Sequence, residues 1–409
     1  MEKPKIRFKS FEKRWESYRL SEYSNYRRGS FPQPYGNKEW YGGDNAMPFV
    51  QVVDVLENLR LVADTKQKIS TLAQPMSVFV PSDSVIVTLQ GSIGRVAITQ
   101  YDAYVDRTIL IFEDYNSQTN KEFWAYTIRN KFEIERQKAP GGTIKTITKE
   151  ALSDFKVSIP EYTEQSAIGS LFRTLDDLLA SYKDNLANYQ SLKAIMLSKM
   201  FPKSGQTVPE IRLDGFEGEW EVVQLSDICQ KVTEKNKDNN FNETFTNSAE
   251  FGIINQRDFF EKDISNVKSL NTYYVVRNND FVYNPRISNY APVGPVKRNK
   301  LGRTGVMSPL YFVFRIINSN IDLNFLETFF NTNIWHKFMK LNGDSGARAD
   351  RFAIKDSIFL TMPIAFPSLS EQQAIGIYFS NLDNLIKSHQ EKISQLETLK
   401  KKLLQDMFI

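Results

Sequence analysis

Pro160-Glu-Tyr-Thr-Glu-Gln-Ser-Ala-Ile-Gly169 and Pro367-Ser-Leu-Ser-Glu-Gln-Gln-Ala-Ile-Gly376 are two versions of one motif, 207 residues apart. Each proline disfavours helix at the residue before it and stands just outside a helix start. Thr163 and Ser370 are N-cap candidates, and Gln373, three residues after Ser370, completes a capping box. Glu164 and Glu371 put negative charge in the first turn, where the helix dipole favours it. Apolar residues then recur in heptads. Ile168, Leu175, Tyr182, Tyr189 and Met196 form one row of the first copy, with Phe172, Leu179 and Leu186 beside it. Ile375, Leu382, Leu396 and Leu403, interrupted by His389, form a row of the second, with Phe379, Ile386, Ile393 and Met407. The spacing predicts two helices of roughly 38 residues, each about 57 Å long. A stripe of that length cannot be buried inside one small domain, so the helices are expected to pack on each other as an antiparallel coiled coil.

The duplication extends beyond the helices. Asp176/Asp383, Lys193/Lys400, Leu197/Leu404, Met200/Met407 and Phe201/Phe408 keep the same register downstream. Far upstream, Pro4-Lys-Ile-Arg7 faces Pro209-Glu-Ile-Arg212, followed by Phe11/Phe216, Glu12/Glu217, Trp15/Trp220, Leu20/Leu225 and Ser21/Ser226. The 409 residues therefore divide into two copies of one unit. The expected organisation is a first domain over 1–160, a helix over 161–204, a second domain over 205–369 and a second helix over 370–409. The centres of the copies match poorly: 90–98 (QGSIGRVAI) only loosely resembles 287–296 (ISNYAPVGPV). Shared edges with divergent centres suit one scaffold carrying two specificities.

Both large segments carry β-like runs: Val78-Phe-Val, Val85-Ile-Val-Thr-Leu and Thr108-Ile-Leu-Ile-Phe in the first, Tyr273-Tyr-Val-Val, Phe281-Val-Tyr and Leu310-Tyr-Phe-Val-Phe in the second. A helix is expected around Asn120–Gln137 and another near Leu323–Leu341. Each is followed by a Gly-rich loop, Ala139-Pro-Gly-Gly-Thr-Ile-Lys145 and Asn342-Gly-Asp-Ser-Gly-Ala-Arg-Ala-Asp-Arg351. The fold class is thus α/β (α+β): two repeated mixed domains and two long helices.

Composition narrows the chemistry. With 41% apolar and 24% charged residues the chain is globular in character. No window approaches the ~18 consecutive apolar residues of a membrane span, and the charged opening MEKPKIRFKSFEKRW lacks the apolar core of a secretory signal. The cytoplasm is the expected location, with no membrane partner. A single cysteine, Cys229, forms no internal disulfide, and two histidines, His336 and His389, nearly exclude a Cys/His zinc site. No phosphate-binding loop and no dinucleotide fingerprint occurs. A nuclease-like spacing, Asp54 with Asp64-Thr65-Lys66, is of a kind that recurs by chance, as Asp154-Phe-Lys156 shows. No catalytic or metal-binding residue is expected.

Nucleic-acid binding is better supported. The net charge of +4 conceals a window between Asp280 and Asp322 without an acidic residue, holding Arg286, Lys297, Arg298, Lys300, Arg303 and Arg315. A smaller analogue holds Arg27, Arg28 and Lys38 among Tyr23, Tyr26, Phe31 and Tyr35. Basic residues interleaved with aromatics and amides suit phosphate contacts and base-edge readout. Charge and loop position select Arg27, Arg28, Lys38, Arg95 and Lys145 in the first domain as candidate DNA contacts. In the second they select Asn284, Arg286, Lys297, Arg298, Arg303, Arg348 and Arg351.

Two α/β segments, each ended by P-x-x-[ST]-E-Q-x-A-I-G and a heptad helix closing in Met-Phe, with Pro-x-Ile-Arg…Phe…Trp…Leu opening both copies, resemble the specificity subunit of type I DNA restriction–modification systems. The resemblance implies two target recognition domains, each reading one half of a bipartite, asymmetric site in double-stranded DNA. It implies conserved helices that set the half-site spacing and bind two modification (methyltransferase) subunits, which restriction (motor–nuclease) subunits join. Glu164, Gln165, Glu371 and Gln372 of the shared motif are the residues expected to hold those partners. No cofactor is expected on this chain; S-adenosylmethionine, Mg²⁺ and ATP would belong to the partners. The alternatives are a coiled-coil assembly scaffold and a stand-alone DNA nuclease or methyltransferase.

Overall fold

The computed structural model describes residues 4–138, 152–259, 267–348 and 350–408. The chain forms two compact units, Met1–Asp184 with Gln390–Ile409, and Asn185–His389. The first long helix, Tyr162–Lys199, gives its beginning to one unit and its end to the other, and the second, Leu369–Met407, does the same.

In the first unit a four-stranded antiparallel sheet runs in the order Ser24–Arg28, Ile109–Tyr115, Val85–Thr88, Val96–Ile98. The second unit repeats it with Cys229–Lys231, Phe312–Ile316, Phe281–Tyr283 and Val296–Arg298. A short antiparallel pair also recurs: Glu16–Arg19 with Lys156–Ile159, and Glu221–Gln224 with Pro363–Phe366. The centres of the copies therefore share a sheet that their sequences conceal. Strand identity depends on buried apolar alternation, which many residue choices satisfy. True divergence lies elsewhere. The first unit adds a second four-stranded sheet, Gln67–Ile69, Met47–Val50, Ala103–Val105 and Val78–Val80. In the second unit the counterpart of the Val78–Val80 and Ala103–Val105 pair, Tyr274–Val276 with Gly305–Met307, stays two-stranded, and the hairpin Phe245–Ser248 with Gly252–Asn255 forms its own sheet.

The core of the first unit gathers Trp124, Tyr23, Phe112 and Phe123 with Phe172 and Leu179 of the first helix and Met407 and Phe408. That of the second gathers Trp220, Phe281, Phe314 and Phe325 with Phe201, Ile375 and Phe379. Within each unit the two helix stretches run antiparallel. Phe172 meets Phe408 and Lys183 pairs with Glu397 in the first unit; Phe201 meets Phe379 and Tyr189 meets His389 in the second. The heptad stripe is fully buried only toward its ends, whereas Tyr182, Leu186, Tyr189 and Ile386 are half-buried. No helix among the described residues is long and apolar enough to cross a membrane.

Three local expectations are corrected. The long helices begin before Thr163 and Ser370: the Glu161 carbonyl accepts from Glu164 and Gln165, and the Ser368 hydroxyl accepts from the Glu371 amide. The single helix expected near Leu323–Leu341 is two, Leu323–Asn331 and His336–Asn342. Thr332 separates them, its hydroxyl donating back to the Phe329 carbonyl at 2.7 Å, the local bonding by which threonine competes with helix continuation. The Gly-rich stretch after Asn342 is a hairpin of Asp344–Arg348 and Arg351–Ala353 rather than a loop; its counterpart from Ala139 lies outside the described residues.

Candidate nucleic-acid interface

The duplicated motif builds one clasp per unit. The buried Glu164 carboxylate accepts from Nε and Nη2 of Arg7, both at 2.7 Å. Glu371 accepts from the same two nitrogens of Arg212 at 2.8 and 2.7 Å. Gln165 donates to the Pro160 carbonyl and accepts from the Asn120 amide; Gln372 donates to the Pro367 carbonyl and accepts from the Asp322 amide. Asn120 and Asp322 in turn cap the next helices through Phe123 and Phe325. Gly169 and Gly376 permit this approach, because a Cβ would fall 2.4 Å from Asn120 Oδ1 and 2.7 Å from Asp322 Oδ1. The expectation that Glu164, Gln165, Glu371 and Gln372 hold partner subunits is therefore corrected. All four are buried and bonded within the chain, so they position the helices instead.

The cationic window of the second domain is free of acid only along the sequence. Folding brings carboxylates to it from outside. Arg298, its side chain 8% exposed, bonds Glu327 at 2.8 Å and Asn324 at 2.6 Å. Arg303 grips Glu243 through two nitrogens at 2.7 Å, and Arg315 grips Asp280 at 2.7 and 2.8 Å. Lys297 donates to Asn331 at 2.9 Å, and burial lowers its pKa. Lys300 pairs with Glu327 at 3.4 Å. Arg298 is reassigned accordingly, because its charge is partnered inside the domain, while Lys297 and Arg303 hold their side-chain partners at the surface, Arg303 with its side chain 49% exposed.

Four candidates do converge. The strand Phe281–Tyr283 leads into a loop where Asn284 accepts from the Arg286 amide at 3.0 Å and donates to the Asn247 carbonyl at 2.8 Å. Asn284 thus shapes the backbone rather than facing solvent. Arg286 and Arg351 are bridged through their backbones, and the Phe352 amide donates to the Pro285 carbonyl. Asp350 stands 3.7 Å from Arg286 and 3.9 Å from Arg351, one carboxylate for two guanidinium groups. The Arg348 backbone pairs with Arg351 in the same hairpin.

The first domain presents less. Arg27 pairs across the sheet with Glu113, and Arg95 lies 3.7 Å from Glu57. Arg28 and Lys38 are exposed, and neither has an ion pair among the described residues. Lys145 lies outside the described residues. The aromatics interleaved with these basic residues are wholly or half buried. Tyr23 and Phe31 are buried, and Tyr35 donates to Asp106. Arg107, which charge clustering alone does not reveal, lies over the Tyr35 ring at 5.2 Å. Asp54, half of the nuclease-like spacing, accepts backbone amides of Gln51 and Lys66, a turn-forming role.

Comparison with known proteins gives a consistent picture. The model of the type I restriction modification DNA specificity domain matches twice, over 12–190 and 217–398. The chain is 20% identical over 401 residues to the type I restriction enzyme MjaVIII specificity subunit of Methanocaldococcus jannaschii, covering 95% of this chain and 91% of that protein. Its fold resembles the crystal structure of the type I restriction-modification S subunit from M. genitalium, with a TM-score of 0.59 at 14% identity over 100% of this chain and 99% of that one. A chain from the structure addressing complex assembly and conformational transition of the type I R-M system is similar at a TM-score of 0.51 and 16% identity, covering 96% of both chains.

Proposed function

Because the chain belongs to the type I restriction modification DNA specificity family, we infer that its two domains read two different half-sites of one asymmetric DNA sequence. The chain is the specificity subunit of a type I restriction–modification system and recognises DNA sequence through two domains. The observation that carries the bipartite assignment is the repeat itself. Both units share the four-stranded sheet, two short antiparallel pairs and the Arg–Glu clasp, yet the first builds its outer pair into a second four-stranded sheet where the second carries a separate hairpin. A common frame with unlike additions suits two readers of unlike sequence, whereas a palindrome would call for two alike.

The long helices then set the half-site spacing and dock two modification subunits, to which restriction subunits add. The chain contributes sequence choice and no chemical step. S-adenosylmethionine, Mg²⁺ and ATP belong to the partners. Docking falls to exposed residues of the coil such as Leu178, Leu192, Ile195, Leu385 and Leu399, which leave apolar surface in solvent.

Mapping methylated DNA positions genome-wide in cells with and without this gene tests the assignment. Loss of a single bipartite motif with two different halves is the expected result. Loss of a palindromic motif, or no loss, would overturn it.

A further inference from the structure

The two-residue turn Asn289–Tyr290 is the most exposed part of the loop that joins Phe281–Tyr283 to Val296–Arg298. Tyr290 is 81% exposed, more than any other large hydrophobic side chain among the described residues. It has no hydrogen bond and no ring contact among them, and Asn289 is likewise exposed. An isolated exposed aromatic is ordinary on a floppy loop. This turn is rigidly built.

Ser288 and Ala291 close it with reciprocal backbone hydrogen bonds of 3.1 Å. Ala291 and Val293 are buried behind it, and the Tyr283 hydroxyl donates to the Val293 carbonyl at 2.9 Å. Gly294 has φ +83° and lies so close to the preceding strand that a Cβ would sit 2.1 Å from the Asn284 carbonyl oxygen. The Ile287 amide donates to the Asp350 backbone carbonyl, tying the loop to the arginine-bearing hairpin. A stiff turn thus projects one amide and one aromatic ring, with Arg286 and Arg351 at its base.

We propose that Asn289 and Tyr290 are the base-reading residues of the second domain, with Arg286 and Arg351 holding phosphates on either side. The division follows from chemistry. An asparagine amide offers a donor and an acceptor that together match adenine in the major groove. An aromatic ring on a rigid support contacts base faces or edges without losing much conformational freedom. The flanking guanidinium groups carry no sequence information and supply attraction to any duplex. The other cations of this domain's acid-free window make closer contacts, to Glu243, Asp280, Glu327 and Asn331 at 2.7–3.4 Å, whereas Arg286 and Arg351 share Asp350 at 3.7 and 3.9 Å.

The proposal rests on the assignment of the chain as a two-domain DNA reader. Its test is enrichment of a randomised double-stranded DNA pool by the full chain assembled with its modification subunits, comparing wild type, Tyr290→Ala and Asn289→Ala. Wild type is expected to enrich a consensus of two separated halves. Each variant is expected to lose base preference in one half while the other stays intact. Affinity for the wild-type consensus should fall about tenfold. An unchanged consensus from both variants would overturn the proposal while leaving the two-domain assignment standing. Failure of wild type to enrich any consensus would overturn both. Arg286→Ala separates the roles: weaker binding with the consensus retained supports its phosphate role, and an altered base preference refutes it.

Discussion

Lys400 of the second long helix donates to Asp176 of the first, and both side chains are nearly buried. The sequence counterparts of these residues are Lys193 and Asp383, and they too are paired, with the helices exchanged. Each unit thus fixes the antiparallel register of its helix stretches by one lysine–aspartate contact. In the first unit Tyr126 also donates to Asp176, and burial lowers the Lys400 pKa even as Asp176 opposes that shift. Leucines slide past one another with little penalty, whereas an unpaired buried charge does not.

Asp176→Asn is expected to lower the stability of the first unit by about 3 kcal/mol, the usual range for breaking a buried ion pair. Asp383 is half exposed, so Asp383→Asn is expected to change stability by under ~1 kcal/mol. Chemical denaturation of the two variants checks the contrast, and equal losses would contradict it.

Glu164→Gln and Glu371→Gln remove the acceptor that two arginine nitrogens share. Each is expected to cost about 3 kcal/mol, because the carboxylate is buried while its arginine is only slightly exposed. Hydrogen exchange, read unit by unit, should show lost protection of the unit that carries the change.

Gly169→Ala and Gly376→Ala each push a methyl group into the cap of a neighbouring helix. Overpacking at such contacts costs roughly 1–3 kcal/mol. A thermal melt unchanged by both substitutions would show that the caps yield freely.

Arg298→Ala and Arg286→Ala should separate stability from binding. Arg298 is buried against Glu327, so its loss should lower the melting temperature. Arg286 is 62% exposed, so its loss should spare the fold and reduce DNA affinity with a shallower salt dependence. Melts and salt-titrated gel shifts on both variants give the four readings.

Burial pushes the Cys229 thiol from its ordinary value up to about 12. In the unfolded chain the thiol ionises near pH 9, while in the folded chain it stays protonated. Above that pH the unfolded state binds fewer protons, so stability falls as pH rises from about 9 toward 12. Cys229→Ala should flatten the fall between pH 9 and 10. Native protein should also resist thiol-labelling reagents at pH 8 and react once denatured.

What the sequence made legible was the part of the fold repeated in it. Trp15 and Trp220, Phe201 and Phe408, and the Glu-Gln-x-Ala-Ile-Gly motif stand out because each contacts a partner at fixed distance, which limits the residue types allowed. The shared sheet was hidden because Val87 and Tyr283 fill equivalent core positions with different side chains. The interface departs from the charge pattern of the sequence for a further reason. A window of sequence counts only its own charges, and the carboxylates facing Arg303 and Arg315 come from Glu243, 60 residues away, and Asp280, 35 residues away. Tyr290 drew no notice in sequence, since exposure of one aromatic is a property of the folded loop.

The first unit draws its core from both ends of a long stretch of chain. Trp124 and Phe172 sit with Met407 and Phe408, whereas the second unit is built from one contiguous run. During synthesis, residues 1–184 therefore emerge with an apolar face that nothing yet covers. At ribosomal speeds of about 5–20 residues per second, the wait for Phe408 is roughly ten seconds or more. The second unit can close first, while the earlier-made one must be kept from aggregating until translation reaches the segment that completes it. Nascent-chain stability of the first unit is thus governed by residues 390–409, made long after the rest of it.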